Sequence, residues 1–435
     1  MRRTPCHRRA ARLLALVTAM AALGASPAAT QTLTLEQALR EARQANARLP
    51  VARLALEEAE ARARQARGQR YPALSIEGDM HDGAPHSYAS GDALLSLYAR
   101  QTLYDGGALR AGERRSAAEI DALRAGCRAA ERDVDYAVRV GCGRIERADS
   151  SLAFRRRTCE RLRAYLAFVE AQQAAGRGVG ADVLTARQRL ASAEAGLAAV
   201  ARDREEGRQE LNDLLGRDPD APLELAALAG PSPPPATPGR AAARGDTAAT
   251  PWLAAPEIAQ AAGEVRQAEA DADAARAGRR LHASLELGAG AQPILGHAGE
   301  APRNDGRGAG GEATLTFALP LWDQGIYRGR LAETDAAVRE ARQRGALAER
   351  QGHLAWSRAA ADLASLLVEL RARDREVEVA RDAYLQAESL YRGGQAEALE
   401  VLDAFDAWST AGQERLDAIY DCRVADAELH RWGES

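Results

Sequence analysis

Residues 182–186 read DVLTA and residues 400–404 read EVLDA, 218 positions further on. The same displacement carries LYDGG (103–107) onto LWDQG (321–325) and Gly176 onto Gly394, so both copies keep one length between these landmarks. An apolar seam repeats with them. Val138, Ile145, Leu152, Cys159 and Leu166 recur every seven residues, and their counterparts are Trp356, Leu363, Leu370, Val377 and Tyr384. Past the glycines, Val183, Leu190 and Leu197 match Val401, Trp408 and Arg415. Seven-residue apolar spacing predicts coiled-coil-like helices. Each stretch from Gly107 to Gly176 and from Gly325 to Gly394 would run about 100 Å if helical throughout, far more than a globular core needs.

A different texture precedes each rod. YPALSIEGDM (71–80) sets Leu74, Ile76, Gly78 and Met80 against Ser75, Glu77 and Asp79, and ALLSLYARQ (93–101) sets Leu95, Leu97 and Ala99 against Ser96, Tyr98 and Arg100. The second copy offers SLELGAGA (284–291) and EATLTFAL (312–319). Period-two alternation predicts strands with one apolar and one polar face. A barrel wall in a membrane and a hairpin packed on a soluble core give the same pattern. Each copy opens on a shorter helix, roughly 35–69 and 257–278. The expected organisation is mainly α with β: a signal peptide at 1–28, a first repeat at 31–217, a Pro-rich linker at 218–255 and a second repeat at 256–435. Each repeat is a helix, a two-stranded hairpin and a long helical hairpin.

Composition fits this layout and narrows the chemistry. Hydrophobic residues make up 46% of the chain but aromatics only 4%, which suits long helices with Ala/Leu seams. The net charge of −4 gives no reason to expect a nucleic-acid partner. All 58 basic residues are arginine, so Schiff-base and P-loop lysine mechanisms are excluded. The chain begins with Arg2, Arg3, Arg8, Arg9 and Arg12, an apolar run LLALVTAMAAL (13–23) and the small residues SPA (26–28), the pattern of a secretory signal. Of the remaining cysteines, Cys127, Cys142 and Cys159 fall on one predicted helix, 15 and 17 residues apart, too far to bond and suited to act as small buried hydrophobes. No HExxH or CxxC occurs; His81, Asp82 and His86 share a loop and read as solvated, GRGAGG (306–311) reads as a surface loop rather than a phosphate cradle, and neither cofactor, metal site nor catalytic set is expected.

The export signal, the order of elements and the motifs LYDGG, LWDQG, DVLTA and EVLDA together resemble the TolC family of outer-membrane efflux proteins, over about residues 33–432. The resemblance implies a homotrimer whose protomers each give four strands to a twelve-stranded β-barrel in the outer membrane, continued by an α-helical tunnel in the periplasm. It implies an efflux or type I secretion channel that docks a periplasmic adaptor carried by an inner-membrane pump. The glycine turns would be the periplasmic tip, with Tyr391, Glu400, Asp403 and, more weakly, Asp182 at the gate. Gly176, Arg177, Val179 and Gly180, with Gly393 to Ala396 including Gly394, would form the adaptor-docking tip. Tyr104, Asp105 and Gly107, matched by Trp322, Asp323 and Gly325, would mark the strand-to-helix junction, its aromatics meeting outer-membrane lipid. The competing reading is a soluble periplasmic coiled-coil scaffold or adaptor whose hairpins pack on its own helices.

Overall fold

A computed structural model of the chain describes residues 32–81, 92–228, 250–291 and 309–433. The export signal, the loop containing Asp82 and His86, most of the Pro-rich segment and the start of GRGAGG lie outside the described residues. Seven α-helices and four strands are described: α1 (Leu35–Ala45), α2 (Arg48–Gly68), β1 (Ala73–His81), β2 (Asp92–Tyr104), α3 (Ala108–Ala174), α4 (Gly180–Leu214), α5 (Pro256–Ala277), β3 (His282–Ala291), β4 (Ala309–Ala318), α6 (Ile326–Arg392) and α7 (Ala398–Gly433). A short 3₁₀ turn, Pro251–Ala254, precedes α5. The two rods are real helices, α3 and α6, each of 67 residues.

The opening helix of the first repeat departs from expectation. A single helix over 35–69 breaks into α1 and α2 at Asn46 and Ala47. Pro50 is the cause: it has no N–H to give the Asn46 carbonyl, and its ring would crowd that carbonyl in a continuous helix. The buried Asn46 side chain instead accepts the Arg48 N–H at 2.9 Å and starts α2 afresh. The second repeat has Pro256 at the first position of α5, where a missing N–H costs nothing.

The described chain packs as two compact units, and each unit draws on both sequence repeats. The first unit takes α1, α3 from Val138, α4, α6 from Glu376 and α7 to Tyr420. Its core gathers Leu162, Tyr165, Val169, Val183, Tyr384, Val401, Leu402, Phe405 and Trp408, on all four of these long helices. The seam positions read from the sequence are therefore the packed ones: Val138, Ile145, Leu152 and Cys159 are all buried. Leu33 forms a parallel bridge with Leu225, and Arg208 and Asn212 hold the carbonyls of Pro219 and Ala221, which fixes the chain just after α4.

The second unit holds α2, the sheet, α5 and the remaining parts of α3, α6 and α7. Trp356, Leu363, Cys422 and Leu429 centre one core cluster, with Trp252 and Trp432 against it; Ala59, Ala63 and Ile120 form a smaller one. The strands make one antiparallel sheet in the order β1-β2-β3-β4. Its pairing sets Leu74 beside Ala99 and Leu287, and Ile76 beside Leu97, on one face. Glu77, Arg100 and Glu286 fall on the other.

Candidate functional site

The sheet is inside out by the standards of a water-soluble hairpin. Leu74 is 73% exposed, Ile76 69% and Phe317 64%, and Leu97, Leu287 and Leu315 are exposed beside them. The polar face is the one with internal structure. Arg100 donates from Nη1 to Glu77 Oε1 at 2.8 Å and from Nε to Glu286 Oε2 at 2.7 Å, which ties β1, β2 and β3 together. Its guanidinium lies 5.1 Å from the Tyr98 ring centre, and Ser96 on the same face is buried. Alternation alone could not say which face meets solvent. Among the described residues, the helices leave Leu74, Ile76, Leu97, Leu287, Leu315 and Phe317 of the apolar face uncovered.

Both junction turns are built the same way. Asp105 accepts the Gly107 N–H at 2.9 Å and the Leu109 N–H with its other oxygen; Asp323 accepts the Gly325 N–H at 3.2 Å and the Tyr327 N–H at 2.7 Å. Each carboxylate thus caps the first turn of a 67-residue helix, where unpaired amides and the helix dipole favour negative charge. Gly107 and Gly325 both have positive φ, +103° and +96°. Before them Gly106 (φ +71°) and Gln324 (φ +56°) take the same left-handed conformation with different residues. A Cβ on Gly106 would sit 2.7 Å from the Arg280 Cβ and the Ala277 carbonyl, so glycine is required there. Tyr104 and Trp322 stand exposed at matching sites, Trp322 at 80%.

The tip turns repeat equally well. After α3, the Gly176 N–H reaches Gln173 O and the Arg177 N–H reaches Gln172 O; after α6, the Gly394 N–H reaches Tyr391 O and the Gln395 N–H reaches Leu390 O. Both are Schellman endings with the glycine at φ +72°. A Cβ on Gly178 would lie 2.9 Å from the Gln173 N, so the first turn has a further fixed glycine. Arg177, Val179, Gly180, Gly393 and Gly394 are exposed, and the apolar side chains of Val179, Leu184 and Leu399 are exposed near them.

The side chains beyond the turns differ between the repeats. Asp182 and Glu400 each stand in the first turn of α4 and α7, where the helix dipole alone would favour an acid. Asp403 and Asp406 follow Glu400 on α7, and Arg189 of α4 reaches both, at 3.7 Å from Asp403 and closer to Asp406. Burial, and then the neighbouring Asp403 carboxylate, raise the Asp406 pKa against the pull of Arg189. Glu400 is exposed and makes no ion pair among the described residues. Tyr391 packs against Tyr165 and Phe168, each with ring centres 5.9 Å away, and Tyr165 donates to the Ala398 carbonyl at 3.1 Å. Burial and then the Asp182 carboxylate push the Tyr391 phenol above its usual range. The structure therefore groups Tyr391 with Asp182, and Asp403 with Asp406, while Glu400 stands apart.

Arg189 escaped the sequence reading, although its position was open to inspection: the stretch after DVLTA carries Arg187 and Arg189 where the second copy carries Phe405 and Ala407. Basic residues in one copy and acids in the other signal a contact between copies. The cysteines behave as expected of small hydrophobes. All four described are free thiols; Cys142, Cys159 and Cys422 are buried, and burial pushes Cys142 up to about 12.

The family model for outer membrane efflux proteins matches residues 38–217 and again 253–432. The chain belongs to the outer membrane efflux protein family. No curated protein matches it in sequence. Several solved structures share its fold. CusC, described as a transmembrane channel, superposes with a TM-score of 0.82 at 21% identity, over 92% of each chain. The outer membrane protein VceC of Vibrio cholerae gives 0.79 at 20% identity over 92% of this chain and 96% of its own. The outer membrane channel MtrE of Neisseria gonorrhoeae, in its open state, gives 0.79 at 19% identity over 91% and 88%. This efflux protein thus shares the two-repeat helix-and-hairpin fold of the outer-membrane channels it resembles. Its family is one of channels, not of enzymes.

Proposed function

We propose that three copies of this efflux protein close a twelve-stranded barrel in the outer membrane and carry substrates from a periplasmic adaptor and inner-membrane pump to the outside. The carrying observation is the four-stranded sheet with exposed leucines on one face and the Arg100 network on the other. Four strands are too few to close, since small barrels need about eight. An open edge in lipid leaves each amide unpaired at a cost of several kcal/mol. Tyr104 and Trp322 fit the lipid interface at the ends of β2 and β4. The small, exposed tip turns, with Gly176, Arg177, Val179 and Gly180 and with Gly393 and Gly394, suit close docking by a helical adaptor.

Glu400 and Asp403, assisted by Tyr391 and Asp182, form the gate in this reading. Three copies would set six carboxylates from α7 around one axis, where like charges repel and cations collect. Arg189 partly neutralises Asp403, so Glu400 is the stronger cation site of the two. In planar bilayers, Glu400→Ala with Asp403→Ala is expected to raise ion conductance and weaken block by multivalent cations. Unchanged conductance and block would remove these residues from the gate.

A further inference from the structure

The two strand-to-helix junctions share their caps but not their charges. Where the end of α5, the chain after β4 and the start of α6 meet, there is a cleft of about 470 Å³ lined by Arg279, Leu321, Trp322, Asp323, Tyr327 and Arg328, among others. The Arg279 guanidinium stands 5.5 Å from the centre of the Tyr327 ring, which holds it at the cleft without a carboxylate. Neither Arg279 nor Arg328 makes an ion pair among the described residues. Nearby arginines are committed elsewhere. Arg276 pairs with Asp273 at 2.9 Å and Asp335 at 3.0 Å, and Arg280 donates to the Gly106 carbonyl at 2.8 Å. Asp323 is the one carboxylate lining the cleft among the described residues, and both its oxygens already accept backbone amides. The cleft therefore carries two guanidinium groups that nothing in the described chain neutralises.

The first repeat shows that this is not a requirement of the fold. Ala73 lies opposite Arg100 and His282 opposite Ala318, so β1 maps to β3 by 209 residues and β2 to β4 by 218. The helix ends at Gly68 and Ala277 keep the first displacement, and those at Ala174 and Arg392 the second. Arg279 thus corresponds to Arg70, and Arg328 to Arg110. Arg70 is paired with Glu113 at 2.9 Å, but the counterpart of Glu113 is Leu331. A leucine stands where the first repeat supplies the neutralising acid.

The surroundings say what kind of anion fits. Leu315, Phe317, Leu319 and Leu321 alternate along the chain and are all exposed, so an uncovered apolar row runs to the rim of the cleft and ends beside the exposed Trp322. A free anion has no use for that row, whereas an anion joined to acyl chains matches both parts. In the barrel reading, the row ends where hydrocarbon gives way to headgroups, the depth at which tryptophan is favoured and arginine reaches out of the apolar layer. Guanidinium forks hold phosphate oxygens through paired N–H donors, and basic pockets at this depth hold anionic headgroups.

We propose, resting on the channel reading above, that this cleft binds the phosphate of an anionic phospholipid, held by Arg279 and Arg328, with the acyl chains along Leu321, Leu319 and Phe317. The site belongs to the second repeat, because Glu113 neutralises its counterpart in the first.

The test uses the full chain in a non-ionic detergent, with bound lipid counted by native mass spectrometry during titration with phosphatidylglycerol or phosphatidylcholine, and with inorganic phosphate as competitor. Phosphatidylglycerol is expected to bind about tenfold or more tighter than phosphatidylcholine, and Arg279→Gln with Arg328→Gln should abolish that preference. Leu331→Glu, which gives Arg279 the acid that Arg70 has, should weaken the preference with both arginines still in place. Arg70→Gln with Arg110→Gln should leave it intact. A preference that survives Arg279→Gln with Arg328→Gln, or that Arg70→Gln with Arg110→Gln removes equally, overturns the site. Inorganic phosphate that displaces phosphatidylglycerol at equal concentration overturns the lipid assignment. A trimeric mass without the preference overturns the headgroup site and leaves the channel reading standing. A monomeric mass overturns the channel reading, and the lipid counts of the variants still decide the site.

Discussion

The sheet and the helical core of the first unit handle large apolar side chains in opposite ways. In the first unit, Tyr384 and Trp408 stack with ring centres 5.6 Å apart, Phe405 and Phe154 meet Trp408 edge-on, and the Arg161 guanidinium lies 5.1 Å from the indole centre. Phe405 and Trp408 are buried there, whereas Leu74, Ile76, Leu315 and Phe317 of the sheet are exposed. One region excludes water by packing within the chain, and the other leaves its apolar side chains uncovered by the chain. In the proposed barrel the difference teaches that one chain is shaped for two solvents.

Truncating Trp408 breaks the helical side of this contrast. Trp408→Ala should cost about 3–5 kcal/mol by thermal or denaturant unfolding of the detergent-solubilised protein. Phe317→Ala, of similar apolar bulk, should change unfolding in detergent far less, because it leaves no cavity within the chain. Charge sharpens the sheet side: Leu315→Arg should cost about 2–4 kcal/mol of folding in a bilayer if it lies near mid-depth, and Thr314→Arg on the other face much less. Equal penalties would mean that the two faces do not meet different solvents. Among the turns, Asp323→Ala should remove a cap worth about 1–2 kcal/mol, and Asp105→Ala should match it, since both carboxylates hold equivalent amides.

The smallest effect tests the tip. Because the folded pKa of Asp406 is raised, its contribution to stability is present below the unfolded carboxylate pKa and is lost as pH rises through the folded value. Asp406→Asn should therefore melt slightly above the parent protein at neutral pH, with the gap closing as pH falls through the Asp406 pKa. A gap that widens in acid would show that the Arg189 ion pair dominates instead.

Much of this molecule could be read from its residues because both repeats use side chains with one local purpose. Asp105 and Asp323 cap, Gly176 and Gly394 turn, and strand alternation fixes parity; all three are short-range effects written within a few residues. The break at Asn46 was equally local, and Pro50 signalled it. What sequence could not supply was the environment of a face. Leu74 and Ile76 alternate with Ser75 and Glu77 whether they pack on helices or meet lipid, and only the folded chain shows them uncovered. The Arg189 contact with Asp403 and Asp406 was hidden for another reason: it joins residues more than two hundred positions apart, at positions that the repeat does not align with one another.

Whether the sheet is a wall between lipid and water can be measured at two adjacent residues. Spin labels placed singly at Leu315 and Thr314 of the protein in liposomes should differ sharply, with oxygen relaxing the first more strongly and a water-soluble nickel chelate the second. Two labels reached alike by the nickel chelate, or both shielded from the two reagents, would contradict the account.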